Sequence, residues 1–537
     1  MPERESDIFP PYRPFSVLCG GFIIIFPLFL RYYLVRKTAL IMKRKRHLAI
    51  YIIRCIWMLP LLVLSSVLSV SCDDEETYTT SPSALLDFSA DTVRFDTVFT
   101  TIGSSTQLFK VYNRGGESLM LPSIRLASGG RSGFRVNVDG MSGTEFADVE
   151  VRDGDSLYVF VEVTVDPRNE DNPFLLRDSL QFHLQSGLYQ QVQLEAYGQD
   201  MIVLRGISFA TDTTLTGERP YVVYDSLCVD SGATLRLSEG VRLHFHSGAF
   251  MRVDGTLRAE GSVERPVVFR GDRLDNMFDY LPYDRMDNQW GGIILGASSY
   301  DNYLNHADIH SGGWGIRCDS ADVALNKLTI ENSVIHNVAG DALSAVNGRL
   351  WVGNSELTNA GRHCLSVRGG DVQVFFSTLA SFSPWAYQGE AVSLSNEWCP
   401  LIRAEFRSSI ITGRFYSPND LKLWPTSEPD SLTFNYRFDH CLISVPIDSL
   451  RGDTLPGGRY SNVRVDSVGY EVSRMKNFPL IDTDIFFYDF SLDSLSQAIG
   501  AGNRDDALNL YPLDRLGRSR LEDEAPDAGA QERLSFE

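Results

Sequence analysis

From residue 85 to 200 apolar and polar side chains alternate in short runs, "DTVRFDTVF", "TQLFKVYNRG", "FRVNV", "DSLYVFVEVTV", "DSLQFHL" and "QQVQLEAYG", separated by Gly, Asn and Asp. Period-2 alternation puts one set of side chains on each face of a strand, so each run predicts a half-buried β-strand. About seven such strands in this span predict a small antiparallel sandwich.

The pattern changes at residue 201, where strands shorten and a fixed spacing appears. Ile309, Ile335, Leu357, Leu379, Ile411 and Ile443 form one apolar column, at intervals of 26, 22, 22, 32 and 32 residues. A nearly constant period with insertions at one place per repeat predicts a solenoid over 201–480, each coil burying its apolar face only against its neighbours. The pairs "NSVIHNVAGDALSAV" and "NSELTNAGRHCLSV" show the unit: Asn-Ser, a short strand, Asn, a Gly turn and a second strand. The fold class expected is therefore all-β, a sandwich over 85–200 followed by a parallel coil over 201–480, with residues 481–537 as a closing cap and 73–84 as a linker.

Three stretches carry resemblances. "QLFKVYNRGGESLMLPSIRL" with "VEVTVDP" is similar to immunoglobulin-like domains of the major-sperm-protein and Hydin type, which implies a spacer or adhesive module. "SGATLRLSEGVRLHFHSGAFMRVDGTLRAEGSVERPVVFRG" and "WGGI" resemble the opening coils of the right-handed parallel β-helix of the pectate-lyase type. The tail, with "DRLGRSRLEDEAPDAGAQE", is similar to that of many secreted β-helix proteins.

Charge and targeting add an address. Residues 1–71 hold ten Lys/Arg against three Asp/Glu, a net of +7, so with −20 overall the rest carries −27. Such a surface repels nucleic acid and gives no basic patch for an anionic membrane. Residues 42–72 have a basic start, an apolar run and small residues before a cysteine, the layout of a signal peptide, and the start is read as Met42, with 1–41 an upstream extension. "LSVSC" resembles a bacterial lipobox, with Ser69 where Leu is usual; this implies a lipid on Cys72 as the membrane anchor. The following "DDEE" resembles the acidic export tag of Bacteroidetes surface lipoproteins, which implies a surface-exposed place on the outer membrane. A recurrent Asp-Ser/Thr-apolar tripeptide resembles the O-glycosylation acceptor of such exported proteins. It points to Thr92, Thr97, Ser156, Ser179, Ser226, Ser431 and Ser449, though it equally suits a turn entering a strand. Five cysteines follow Cys72, an odd number without close spacing, so buried thiols are expected rather than disulfides or zinc sites.

In stacked coils equivalent residues recur about 4.8 Å apart, so outward positions form ladders. Aligning "GWGIRC", "GDALSA", "RHCLSV" and "GEAVSL" puts Trp314, Asp341, His363 and Glu390 in one turn column, an acid–imidazole–acid set suited to general acid/base work or to a divalent cation. The same column is where short polar residues serve turns. Arg317, Ser344, Ser366 and Ser393 run alongside, and Arg317 suits a sugar acid. The insertion 271–289 with Trp290 offers Tyr280, Tyr283 and Trp290 for sugar stacking, or else folds back over the first coils. His244 with His246, and His310 above His336, are placed to share a metal but read more simply as exposed ladder residues. No cofactor is called for. The function expected is a surface lipoprotein whose β-helix binds glycan or a cell-surface partner; the alternatives are a polysaccharide lyase or glycoside hydrolase using Asp341, His363 and Glu390, and a purely structural envelope protein.

Overall fold

The computed structural model describes residues 77–384, 390–413, 421–424, 433–444, 459–466 and 477–533. Cys72 and the segment before it, with Ser431 and Ser449, lie outside the described residues.

Two five-stranded sheets come first. One orders Asp87–Phe88, Gln107–Tyr112, Ser156–Val163, Phe134–Val138 and Met141–Gly143; the other orders Thr92–Phe99, Tyr189–Gln199, Phe174–His183, Leu119–Leu126 and Glu145–Val151. Ser156–Val163 shows why they face each other: Leu157, Val159, Val161 and Val163 are buried while Tyr158, Phe160 and Glu162 point away. The buried sets of both sheets make one core. All pairings are antiparallel except Tyr189–Gln199 with Thr92–Phe99. Ser179 is buried there, which removes it from the modifiable hydroxyls.

The strand Ile202–Phe209 then opens a 26-stranded sheet in which every pairing is parallel. Ile309 pairs with Ile335, Ile335 with Leu357, Leu357 with Leu379, Leu379 with Ile411 and Ile411 with Ile443. All six are fully buried. Each coil thus stacks on the last in register, and the interior is a continuous apolar column that no single coil could bury alone.

Backbone amides at successive corners of the stack are satisfied by a second column. The backbone amides of Ser333, Ser355 and Ser377 donate to the hydroxyls of Ser355, Ser377 and Ser409, at 3.1, 3.2 and 3.1 Å. The hydroxyls of Ser333, Ser355, Ser377 and Ser409 each donate in turn to the carbonyl two residues back. The residue before each serine turns the corner with positive φ: Asn332, Asn354, Phe376 and Ser408, at 51°, 51°, 43° and 51°. Asn tolerates that region best, which explains the repeated Asn-Ser; Phe376 is a strained exception held by full burial.

The C-terminal segment lies along the flank of the stack, crossing successive coils, rather than simply closing an end. Arg520 is fully buried and donates to Glu532 at 2.6 Å, Asn354 Oδ1 at 2.8 Å and the Gly529 carbonyl at 2.9 Å. Farther along, Tyr511 reaches Trp351 and Glu331, Arg515 reaches Glu356, and Gly529 donates to the Ser408 carbonyl.

Candidate functional site

The outward ladders stand where the coil period puts them. Arg317 pairs with Ser344, Ser344 with Ser366 and Ser366 with Ser393. Beside this row, the turn column brings Asp341, His363 and Glu390 together. Asp341 Oδ1 lies 2.9 Å from His363 Nδ1 and accepts the His363 backbone amide at 3.1 Å. His363 Nε2 lies 3.7 Å from Glu390 Oε2. Burial works against the imidazolium, but the Asp341 and Glu390 carboxylates outweigh it and raise the His363 pKa above its ordinary value. The ring is 11% exposed and Asp341 8%, so the cluster is reached mainly from the Glu390 side, at 19%. Trp314 stands at the surface of the same column, with the Arg362 guanidinium 5.9 Å from its ring centroid. Arg317 projects into solvent, its nearest acid Asp319 at 3.7 Å.

Of the two readings open for the insertion, its contacts fit folding back over the coils better than a sugar platform. Trp290 is not a sugar platform: it is 2% exposed, stacks on Phe245 at 4.2 Å and 11°, and donates from Nε1 to the His310 carbonyl at 2.8 Å. The Tyr283 ring is capped by Arg273 at 4.0 Å and half-buried. Only Tyr280, 60% exposed and stacked on Phe278 at 5.7 Å, presents an open face. The rest of the loop folds onto the solenoid through Ser311 Oγ, which donates to the Asp284 carbonyl at 2.9 Å, and onto the C-terminal segment through Arg285, which donates to the Ile485 carbonyl at 3.1 Å.

The histidine pairs also depart from a simple exposed ladder. His244 is buried at the junction of the two parts, edge-on to Phe99 of the sandwich at 4.9 Å; burial, then Arg270 and Arg242, push its pKa down to about 3. His246 turns instead to Asp272 at 2.6 Å, so the two imidazoles share nothing. A cleft of ≈ 170 Å³ between sandwich and solenoid opens beside His246, Asp272 and Asp96. His310 is 5% exposed and clasped by two carboxylates, Nδ1 at 2.8 Å from Asp308 and Nε2 at 2.8 Å from Asp284, with His336 Nε2 3.1 Å from Asp308. Burial opposes its charge, yet the two acids raise its pKa to about 9. Sequence reasoning aligned His310 with His336 but missed Asp284, which arrives from the insertion; the clue was its Asp-rich "YDRMDN" ahead of the resumed period.

The five cysteines stand as thiols, with Cys318, Cys364 and Cys441 buried; burial pushes the first and last up to about 12, which keeps them unreactive.

Fold and faces together define a class: an all-β protein built on a large parallel sheet of stacked coils, with charged ladders outside. No known family profile matches the chain, and no curated protein matches it. Among solved structures, it is similar to a family 123 glycoside hydrolase from Clostridium perfringens, at 5% identity and TM-score 0.15, over 21% of this chain and 25% of that one. The chain thus spans a quarter of that hydrolase's length. It is similar too to the ASH / PapD-like domain 7 of human CEP192, at 14% identity and TM-score 0.16, over 25% of this chain and 95% of that one. Likenesses this slight carry no argument about fold or activity.

Proposed function

We propose that the chain is a lipid-anchored bacterial surface protein whose solenoid binds a glycan along the Trp314–Glu390 face. In this reading Cys72 holds the outer membrane, an immunoglobulin-like sandwich spaces the solenoid from it, and the coil is a right-handed helix of the pectate-lyase type. The hand follows from the strong preference of parallel crossovers in one sheet. The observation that carries the binding reading is the register placing Arg317 and the serine row beside Trp314, Arg362 and Glu390. A half-open indole, two guanidiniums and a line of hydroxyls on a rigid ladder suit an acidic sugar chain.

A second reading, a polysaccharide lyase or hydrolase, is favoured by the meeting of Asp341, His363 and Glu390. Against it, Asp341 also accepts the His363 backbone amide, the bond of a polar turn residue. The test is a glycan array and turnover screen on the chain after Cys72. Binding lost in Trp314→Ala and Arg317→Ala supports the first reading, and absence of any glycan binding sinks it. Product release abolished by His363→Ala and Glu390→Gln, with folding intact, would promote the second.

A further inference from the structure

The glycan face leaves unused the cluster under the insertion. Asp308 and His310 point outward from one strand, and His336 follows in register one coil later, the two rings 4.8 Å apart. One ligand atom from each of the three lies within 4.8 Å of the other two. We propose that Asp308, His310 and His336 bind a first-row divalent cation of the Zn²⁺ type, with Asp284 as the outer partner that orients His310.

Donor chemistry selects the ion. Two imidazoles and one carboxylate suit Zn²⁺ and its neighbours, whereas Ca²⁺ and Mg²⁺ require mostly oxygen ligands. The spacing already approaches a coordination shell: ligands 2.0–2.1 Å from a tetrahedral ion stand about 3.3 Å from one another. Asp308 Oδ1 is 2.8 Å from His310 Nδ1 and 3.1 Å from His336 Nε2, so both gaps need to widen by only a few tenths of an ångström. The far nitrogen of His310 faces Asp284 at 2.8 Å, the carboxylate–histidine–metal arrangement that fixes which nitrogen carries the proton. Arg270, 2.9 Å from Asp284, offsets that outer charge, which leaves Asp308 as the single anion of the inner set. Three protein ligands also leave a coordination position open to water.

The experiment is calorimetric titration of the metal-stripped full chain with Zn²⁺ and with Ca²⁺, together with metal content by mass spectrometry. One equivalent of Zn²⁺ and no heat with Ca²⁺ is the expected result. Asp284→Asn should weaken Zn²⁺ binding by about 10–100-fold, and His336→Ala and Asp308→Asn should weaken it further. His246→Ala, outside the cluster, should change nothing. Melting temperature without metal checks folding, and His336→Gln replaces the alanine variant if that one fails to fold. Absence of Zn²⁺ binding, or one-equivalent binding that survives both His336→Ala and Asp308→Asn, overturns the proposal.

Discussion

Trp290 offers the sharpest test of how the solenoid is held together at the insertion. Replacing it with Ala removes a side chain that is 2% exposed and stacked face to face on Phe245. Truncations of this kind in well-packed cores cost about 3–5 kcal/mol, the transfer loss plus the cavity left behind. The substitution also removes the indole donor from the His310 carbonyl, and a buried acceptor stripped of its partner costs about 1–3 kcal/mol, part of which the first figure already contains. Trp290→Phe separates the two effects, since it retains the stack and loses the donor; its cost should be near the second figure alone. Tyr280→Ala, at a ring 60% exposed, should fall within about 0.5 kcal/mol of the native chain. Urea unfolding followed by far-UV circular dichroism reads all three, with hydrogen exchange to separate solenoid from sandwich opening. If Trp290→Ala costs less than about 1 kcal/mol, or no more than Tyr280→Ala, the indole is not the staple the packing implies.

Three further outcomes follow from other contacts. The raised pKa of His363 means its clasp stabilises the fold fully below the ordinary histidine value of about 6.5 and loses that contribution as pH rises through the higher folded value; NMR titration should find it above the ordinary value and Asp341→Asn should lower it, and an unshifted His363 refutes the clasp. Arg520→Met strands Glu532 and should cost about 3–5 kcal/mol and detach the C-terminal segment, read by limited proteolysis; an unaltered cleavage pattern counts against the segment being held there. If a lipid on Cys72 is the anchor, as proposed, Cys72→Ala should release the chain from membranes on fractionation; retention in the outer membrane removes the lipoprotein reading.

What was legible in the sequence is what repeats. The Ile309–Ile443 column is readable because each coil must bury the same position, and a one-residue slip would turn it to solvent. The same period brings Asp341, His363 and Glu390 together, although it says nothing of their chemistry. The misreadings fall where a contact leaves the period. His244 looked like a ladder residue because its partner, Phe99, lies in the sandwich. Trp290 looked like part of an aromatic loop, yet "WGGI" is where the coil pattern resumes, and residues there are packed by the coil below. Asp284 could not be placed because an insertion has no repeat to align it.

The two clasped histidines share a physical logic that the apolar core cannot supply. A hydrophobic column tolerates small sliding of one coil over the next, since dispersion is non-directional and aliphatic side chains interchange readily. Hydrogen bonds of 2.8 to 3.1 Å do not. His363 is tied to Asp341 one coil before and faces Glu390 one coil after; Asp308 is tied to His310 in its own coil and to His336 in the next; the serine stack repeats the tie at every corner from Ser333 to Ser409. The two histidine clasps carry a cost in desolvation, because a buried charged pair adds little net stability against an apolar substitute. Their return is register: coils locked in phase keep outward residues aligned, and only aligned residues make a face that a long ligand can follow. Polar ties inside and beneath the ladders thus add to the parallel backbone ladder in keeping outward residues aligned.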